Sequence, residues 1–273
     1  MATPPTLTDR IALERNRKRA LRSPALFLQE TAIDEINDRL GMVNKTFSAP
    51  AFTAGFRDLW QRAFPTAACF EDRENLGLTD DAFDLIIHGL ALHWSNDLVG
   101  QLIQCRRALR PDGLFLAVLF GGNTLSELRA CLAEAEAEIR GGLSPRVAPM
   151  AEIRDLGALL QRAGFALPVA DSLPLTVSYP SVANLMRDVR QMGETNALAA
   201  RSRHFTRRAI FERAAEKYQK AHATKAGRIT ATFDLIFLTG WSPDASQPKP
   251  LRPGSASARL SEVLGTTETP LKD

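Results

Sequence analysis

Two uninterrupted apolar runs enclose a segment with helical spacing, and this pattern constrains the fold more strongly than any other. The runs are "FDLII" (83–87) and "LFLAVL" (114–119), and strands that are apolar throughout are typical of sheets covered on both faces. The intervening "NDLVGQLIQCRRAL" repeats apolar residues at the period of an amphipathic helix. A strand, a helix and a second strand in this order form a parallel, right-handed βαβ unit. The sequence therefore predicts an α/β, doubly wound sheet.

Helical spacing and strand-like apolar runs also predict the elements on either side of this unit. Helices are expected at 8–44 with a break at Ser23-Pro24, and at 56–64, 124–140, 150–165, 181–192 and 206–222; strands are expected at 48–56, 66–70, 173–179 and 229–241. The segment "RPDG" (110–113) predicts a turn before the second apolar strand. Thr124 with Glu127 fits a capping box, and Thr206 is the expected N-cap of the last helix.

These elements predict three parts along the chain. Residues 1–45 form a helical N-terminal extension, and 46–241 form the α/β domain. Within that domain, the helices at 181–222 precede the last strand and are expected to form a lobe beside the ligand crevice at the carboxyl ends of the strands. Residues 242–273 are a tail rich in Pro, Ser and Gly, expected to wrap the surface or to be partly disordered.

Charge and cysteine content exclude several classes of protein. The net charge of +3, from 34 basic and 31 acidic residues, does not predict nucleic-acid binding. The run "RNRKR" (15–19) is either the solvated side of a helix or an interaction arm. Three widely separated cysteines indicate neither a disulfide framework nor a zinc site. With no apolar run near the ~20 residues of a membrane span, we expect a cytoplasmic protein.

Several motifs in order resemble a known family. The stretch "FDLIIHGLALHWSNDLVGQLIQCRRALRPDGLFLAVLFGGNTLSELR" resembles the second half of a class I S-adenosylmethionine-dependent methyltransferase domain. "GGLSPRVAPM", "LMRDVRQMGETNAL" and "TFDLIFLTGWSPDASQPKPLRPGSA" are similar to the family of the mitochondrial NADH:ubiquinone oxidoreductase complex assembly factor 5, and more distantly to malonyl-carrier-protein methyltransferases. This resemblance implies a class I methyltransferase-like (Rossmann-like) fold, S-adenosylmethionine as cofactor, and arginine hydroxylation or methyl transfer on a protein, for example a subunit of respiratory complex I.

The glycine-rich cofactor loop of that family is missing. A class I methyltransferase carries a loop of the kind D-x-G-x-G-x-G after its first strand, where glycines let the backbone approach the cofactor. Here the matching turn has one glycine, Gly55, followed by bulky Phe56, with no acid at the strand end. The distance to Phe83 leaves room for only one helix and one strand. The cofactor half is therefore shortened, and S-adenosylmethionine is either retained or lost.

Five residues are candidates for cofactor contacts. Gly55 lies at the turn, and Asp72 or Glu74 is the candidate to replace the acid expected on the ribose. His88 ends the central strand and either faces a ligand or caps the sheet edge, while His93 and Trp94 either contact a ligand or pack as an aromatic corner. No third ligand accompanies the two histidines at a fixed spacing, so no metal is expected.

The candidates for substrate or partner contacts follow later strands and helices. They are Asn123, Glu127, Arg129, Glu194, Asn196, Trp241 and Gln247, with Ser246 and Lys249 beside the last. The alternatives are helix capping for Asn123 and a solvated ion pair between Glu127 and Arg129. An arginine-bearing substrate would need a carboxylate and an aromatic face, for which Glu194 and Trp241 are the candidates.

Two functions stay open. The first is an enzyme of the assembly-factor type that modifies a protein side chain. The second is a catalytically degenerate relative that binds a partner protein as an assembly chaperone and no longer binds the cofactor. The missing loop favours the second, and the retained downstream motifs fit both.

Overall fold

The computed structural model describes residues 6–248 together with 262, 265 and 266. The chain divides into two compact units, one ending at Pro243 and the other beginning at Asp244. All of the named helices and strands lie in the first unit. Lys249 and most of the predicted tail lie outside the described residues.

Helices and strands alternate through most of the first unit. The helices are α1 (Arg10–Ala20), α2 (Phe27–Met42), α3 (Arg57–Ala63), α4 (Leu98–Ala108), α5 (Ser126–Arg140), α6 (Ile153–Arg162), α7 (Val182–Gln191) and α8 (Arg208–His222). The strands are β1 (Pro50–Ala54), β2 (Ala68–Phe70), β3 (Phe83–Gly89), β4 (Leu109–Phe120), β5 (Ala166–Tyr179) and β6 (Ile229–Trp241). A short 3₁₀ turn, Leu92–Trp94, follows β3.

The strands form one sheet in the order β2-β1-β3-β4-β6-β5. Strands β2, β1, β3 and β4 pair in parallel, and β6 runs antiparallel to both of its neighbours, β4 and β5. Apolar side chains along β3 alternate between the faces, so Leu85 and Ile87 join one buried cluster and Ile86 the other. Burial of both faces explains the uninterrupted apolar runs. The predicted doubly wound α/β fold is confirmed.

The connection from β1 to β3 contains one helix and one short strand. After β1 the chain passes through α3 and the three residues of β2, and β2 pairs with β1 at the edge of the sheet. The spacing between Gly55 and Phe83 predicted this shortened connection. It leaves β1 with a single neighbour, β2, on its outer side.

Local predictions fail at three places. The capping box is wrong, because Thr124 Oγ1 and the Glu127 carboxylate bind Asp234 and Thr232 of β6, and α5 begins without a side-chain cap. Thr206 does not cap α8, since its Oγ1 accepts a hydrogen bond from Arg146.

The third correction concerns strand bounds. Residues 110–113 bulge out of β4 between the pairs Phe83–Leu109 and Leu85–Leu114, so the predicted turn is an irregularity inside a longer strand. Strand β5 begins at Ala166 rather than at 173.

No helix among the described residues combines the length and apolarity needed to cross a lipid bilayer.

Candidate functional site

Helix α1 lies across the carboxyl ends of the parallel strands. Asp9 caps its first turn by accepting a hydrogen bond from the Ala12 amide, and the Asp9 amide donates to Ala197 O at 2.7 Å. Asn16 Nδ2 donates to Thr195 O at 2.9 Å. These bonds tie α1 to the segment that follows α7. The N-terminal helix is therefore part of the wall of the crevice.

Arg17 fills the space above the turn that follows β1. A Cβ on Gly55 would come within 2.8 Å of Arg17 Nε, so the guanidinium packs directly against the backbone of this glycine. Arg17 Nη1 lies 2.5 Å from Asp72 Oδ2, and Arg10 Nη2 lies 3.1 Å from Asp72 Oδ1. Burial alone would raise the pKa of Asp72, but the two guanidinium groups outweigh it and hold that pKa below its ordinary value.

A cavity of about 540 Å³ opens beside this ion-paired cluster, and we call it the crevice cavity. Its walls come from α1, from the turn after β1 and from α3, and from the end of β2. The lining residues are Arg10, Ile11, Leu13, Glu14, Arg17, Lys18, Leu21, Pro24, Leu26, Ala54, Gly55, Phe56, Arg57, Asp58, Leu59, Arg62, Glu71, Asp72 and Arg73. Two predicted cofactor residues, Gly55 and Asp72, therefore lie together here. Glu74 instead accepts hydrogen bonds from residues 95–97.

His88 is enclosed in the core below the crevice. Its side chain is fully buried and lines neither cavity, and Nε2 lies 3.1 Å from Gln101 Oε1. Burial lowers the pKa of His88 to about 4, so the ring is neutral at physiological pH. The predicted ligand contact of His88 is therefore wrong in this structure.

A second, largely apolar cavity of about 240 Å³ lies between the sheet and the helices of the predicted lobe, and we call it the lobe cavity. It is lined by Trp94, Phe120, Thr124, Leu125, Leu128, Leu132, Arg146, Val147, Ala148, Met150, Met186, Val189, Arg190, Met192, Glu194, Thr195, Asn196, Phe211 and Phe233. Three sequence candidates, Trp94, Glu194 and Asn196, are thus brought to one cavity.

Glu194 is the partly buried carboxylate of the lobe cavity. Its Oε2 accepts one hydrogen bond from Trp94 Nε1 at 2.6 Å, and the same oxygen lies 3.0 Å from His93 Nε2. Its side chain is only 9% exposed, and Oε1 accepts no hydrogen bond within the described part of the chain. The His93 ring packs against Phe120 at 4.9 Å. A half-satisfied carboxylate in an apolar cavity is suited to a cationic ligand.

One rim of the lobe cavity is held by Glu136 of α5. Arg146 donates to both oxygens of this carboxylate, from Nη2 at 2.7 Å and from Nε at 2.9 Å, and Ser144 donates as well. Burial would raise the pKa of Glu136, but the bonds from Arg146 and Ser144 outweigh it and lower that pKa to about 2. The loop 143–150 is therefore anchored where it lines the cavity.

Other substrate candidates hold the structure together. Asn123 Nδ2 lies 3.5 Å from Asp234 Oδ2, and Glu127 binds Thr232. Arg129 donates to two backbone carbonyls rather than to Glu127, so the alternative of a solvated ion pair is also wrong. Asn196 donates to Pro145 O at 2.8 Å from the wall of the lobe cavity.

Trp241 is far from Glu194 along the sheet. It pairs with Leu114, near the start of β4, whereas the lobe cavity lies beyond the end of β4 at Phe120. The structure therefore does not bring Glu194 and Trp241 together, and the aromatic ring beside Glu194 is that of Trp94. In the second unit, Gln247 Oε1 accepts a hydrogen bond from the Asp244 amide, and Ser246 donates to the Asp244 carboxylate.

Sequence reasoning missed Arg17 and Arg146. Arg17 belongs to the run read as a solvated helix face or an arm, yet it lies between the buried Leu13 and Ala20 at helical spacing. The buried positions on either side of Arg17 could have indicated that it faces the interior. No local pattern marks Arg146, because its partner Glu136 lies on the preceding helix. Within the described residues, no three His, Cys, Asp or Glu side chains are grouped to hold a metal ion.

Comparison with known proteins defines the class first. A model of the methyltransferase domain matches residues 50–117. A solved structure of a candidate methyltransferase from Bacillus halodurans superposes with a TM-score of 0.50 at 14% identity, covering 78% of this chain and 99% of that one. The fold is that of the class I S-adenosylmethionine-dependent methyltransferases, which bind this cofactor in general.

Sequence relatives then define the family. The chain is 35% identical over 222 residues to the arginine-hydroxylase NDUFAF5 of Danio rerio, covering 81% of this chain and 69% of that protein. It is 43% identical over 192 residues to the Dictyostelium discoideum protein of the same name, covering 70% of this chain. A malonyl-[acyl-carrier protein] O-methyltransferase of Nitrosospira multiformis is 34% identical over 63% of this chain and 53% of that protein. The chain belongs to the NDUFAF5 family.

The match to these relatives is partial in length. The chain spans 44% of the Dictyostelium discoideum protein and 64% of the human one. The family membership rests on the region shared with these relatives.

The crevice cavity does not suit the cofactor of the class. Arg17 occupies the space that the single glycine opens, and Asp72 is already paired with two guanidinium groups. S-adenosylmethionine carries a net positive charge, and the cationic side chains of this wall outnumber its carboxylates, which disfavours that charge. The residues around this cavity therefore do not fit a sulfonium cofactor.

Proposed function

We propose that this protein modifies an arginine side chain of a protein substrate, and that the lobe cavity receives that side chain. The observation that carries the proposal is Glu194 in a largely apolar cavity beside Trp94, with an Oε1 that accepts no hydrogen bond from the described residues. A guanidinium offers several donors to a carboxylate and stacks on an aromatic ring. Its aliphatic stem suits the apolar wall.

Membership of the NDUFAF5 family supports arginine as the target, since its relatives are named arginine-hydroxylases. Hydroxylation replaces a C–H bond with C–OH and requires an external oxidant, whereas methyl transfer requires a methyl donor. Both remain outcomes of the test below. These relatives are named as enzymes. They therefore do not favour the alternative, an assembly chaperone that no longer binds the cofactor.

The partner that we propose is a subunit of respiratory complex I, because the family resemblance is to an assembly factor of that complex. A cytoplasmic location stays a prediction of the sequence. Fractionation of cells that produce the tagged protein would test it, and recovery in another compartment would contradict it.

Binding of arginine tests the site directly. We expect calorimetry to show that an arginine-containing peptide binds and that the same peptide with citrulline, which lacks the charge, binds at least ~10-fold more weakly. Glu194→Gln keeps the shape of the side chain and removes the charge, so it should weaken arginine binding by a similar factor. Glu212→Gln, an exposed change on α8, is the matched control. Equal binding of arginine and citrulline would refute the proposal.

Modification is tested in cells that carry the wild-type gene, a deletion or Glu194→Gln. Arginine peptides of complex I subunits are compared by mass spectrometry. A gain of one oxygen atom that requires the gene and Glu194 supports hydroxylation, and a gain of one methylene group supports methyl transfer. Identical peptides in all three strains would reject arginine modification of complex I.

A further inference from the structure

The crevice cavity carries more positive than negative charge. Six cationic side chains line it: Arg10, Arg17, Lys18, Arg57, Arg62 and Arg73. Four carboxylates oppose them: Glu14, Asp58, Glu71 and Asp72. An excess of positive charge lining a concave cleft raises the local concentration of anions.

Two of these guanidinium groups keep unused donors. Arg17 Nη2 is buried and has no hydrogen-bond partner among the described residues, although Nη1 binds Asp72. A buried donor without an acceptor is costly, and an incoming oxygen would satisfy it. Arg62 also lines the cavity, is exposed, and forms no salt bridge or hydrogen bond with another described residue. Both groups are therefore available to a ligand.

The rest of the wall is apolar. Leu13 and Phe56 are buried there, and Leu26 and Leu59 extend the same surface. A volume of about 540 Å³ is within the range of small-molecule sites, roughly 300–1,000 Å³. A ligand with an apolar body and an anionic group matches both parts of the wall.

We propose that the crevice cavity binds an organic anion, whose phosphate or carboxylate group contacts Arg17 and Arg62. This site is separate from the lobe cavity and independent of the function proposed for it. The same arginines that exclude a sulfonium cation attract the anion. The cavity at the cofactor position of the fold would thus accept an anionic ligand in place of a cationic one.

Calorimetry on the full chain tests the proposal with four probes: adenosine diphosphate, inorganic pyrophosphate, succinate and S-adenosylmethionine. We expect at least one of the three anions to bind and S-adenosylmethionine to bind more weakly than that anion. Binding of the phosphates alone assigns a phosphate ligand, and binding of succinate alone assigns a carboxylate. Tight binding of S-adenosylmethionine, or no binding of any anion, would overturn the proposal.

Variants assign the residues. Arg17→Met should weaken the bound anion by about 10- to 100-fold, the range expected for a charged hydrogen bond. Arg62→Gln should weaken it by about 3- to 10-fold, because this side chain is exposed and its loss does not disturb the core. Arg19→Gln is the control, since Arg19 is exposed on the same helix and does not line the cavity. The assignment of Arg17 and Arg62 to the anion would be refuted if Arg62→Gln and a folded Arg17→Met both bound the anion as tightly as the wild type.

Glu194→Gln separates the two proposals. This change in the lobe cavity should leave anion binding at the crevice cavity unaltered. Loss of anion binding in Glu194→Gln would mean that the anion occupies the lobe cavity, and it would overturn the crevice site.

Discussion

At the scale of single residues, polar side chains in this protein owe their roles to partners that are remote in sequence. Glu194 meets Trp94, which lies 100 residues earlier, and the pair defines the polar end of the lobe cavity. The sequence identified Glu194, Trp94 and Trp241 as candidates but did not establish which tryptophan lies beside Glu194. The choice between two tryptophans depends on the end of the sheet at which each lies, and strand direction decides that.

His88 shows the cost of a titratable group in the core. With a pKa lowered to about 4, the folded state resists a proton that the unfolded chain takes up near 6.5, so stability falls as pH drops through this window. We expect the free energy of unfolding to lose about 2–3 kcal/mol from His88 between pH 7 and pH 4.5. Urea titrations of wild type and His88→Gln at both pH values measure this loss.

The difference in the free energy of unfolding between wild type and His88→Gln should narrow as the pH falls, because glutamine does not titrate. His204→Gln, at an exposed position, should follow the wild type. Parallel pH dependence of wild type and His88→Gln would show that His88 is not the group responsible.

At the scale of elements, bounds set by hydrophobic periodicity were predicted well, and caps were not. Helix α4 and strands β3 and β6 lie close to their predicted ranges because each buries a complete apolar stripe or run. The start of α5 was mispredicted because Thr124 and Glu127 bind β6 rather than the first turn. Side chains of a local capping motif can instead bind residues that are distant in sequence, and the local sequence does not show those partners.

The loop after α5 depends on one carboxylate. Because the pKa of Glu136 is lowered to about 2 in the folded state, its contribution to stability is complete above about pH 4.5 and is lost as pH falls toward 2. We expect Glu136→Gln to lower the free energy of unfolding by about 1–3 kcal/mol at pH 7. The deficit should shrink at pH 3, and chemical denaturation at the two pH values measures it.

Glu138→Gln is the control on the same helix, where the carboxylate forms exposed ion pairs with Arg213 and Lys217. Surface pairs contribute little, so this variant should resemble the wild type. A Glu136→Gln deficit that stays the same at pH 3 would contradict the assigned role of the ionised carboxylate.

At the scale of the whole molecule, α1 joins the two cavities. Its arginines reach Asp72 beside β2, while Asn16 and Asp9 bind the segment after α7 that carries Glu194. Leu13 packs in the same apolar cluster as Trp94. A helix read from sequence as part of a separate extension therefore contacts residues at both sites.

Removing the charge of Asp72 should release α1. Asp72→Asn leaves two arginines without their counter-charge, and breaking a buried ion pair costs roughly 3–5 kcal/mol. We expect a loss of that size in the free energy of unfolding at pH 7, together with faster amide hydrogen exchange in α1. Asp80→Asn, which breaks an exposed pair with Arg107, should change neither. Full protection of α1 in Asp72→Asn would show that apolar packing alone holds the helix.

The sequence by itself determined the fold class, the shortened connection between β1 and β3, and the residues that can bear charge at the carboxyl ends of the strands. Those features are local: hydrophobic periods, turn residues and distances along the chain. Only the tertiary structure decided that Arg17 fills the turn at Gly55, that Glu194 faces an apolar cavity and that Trp241 lies at the other end of the sheet. The physical reason is that a buried charge is stable only beside a partner, and chain folding selects that partner from distant segments.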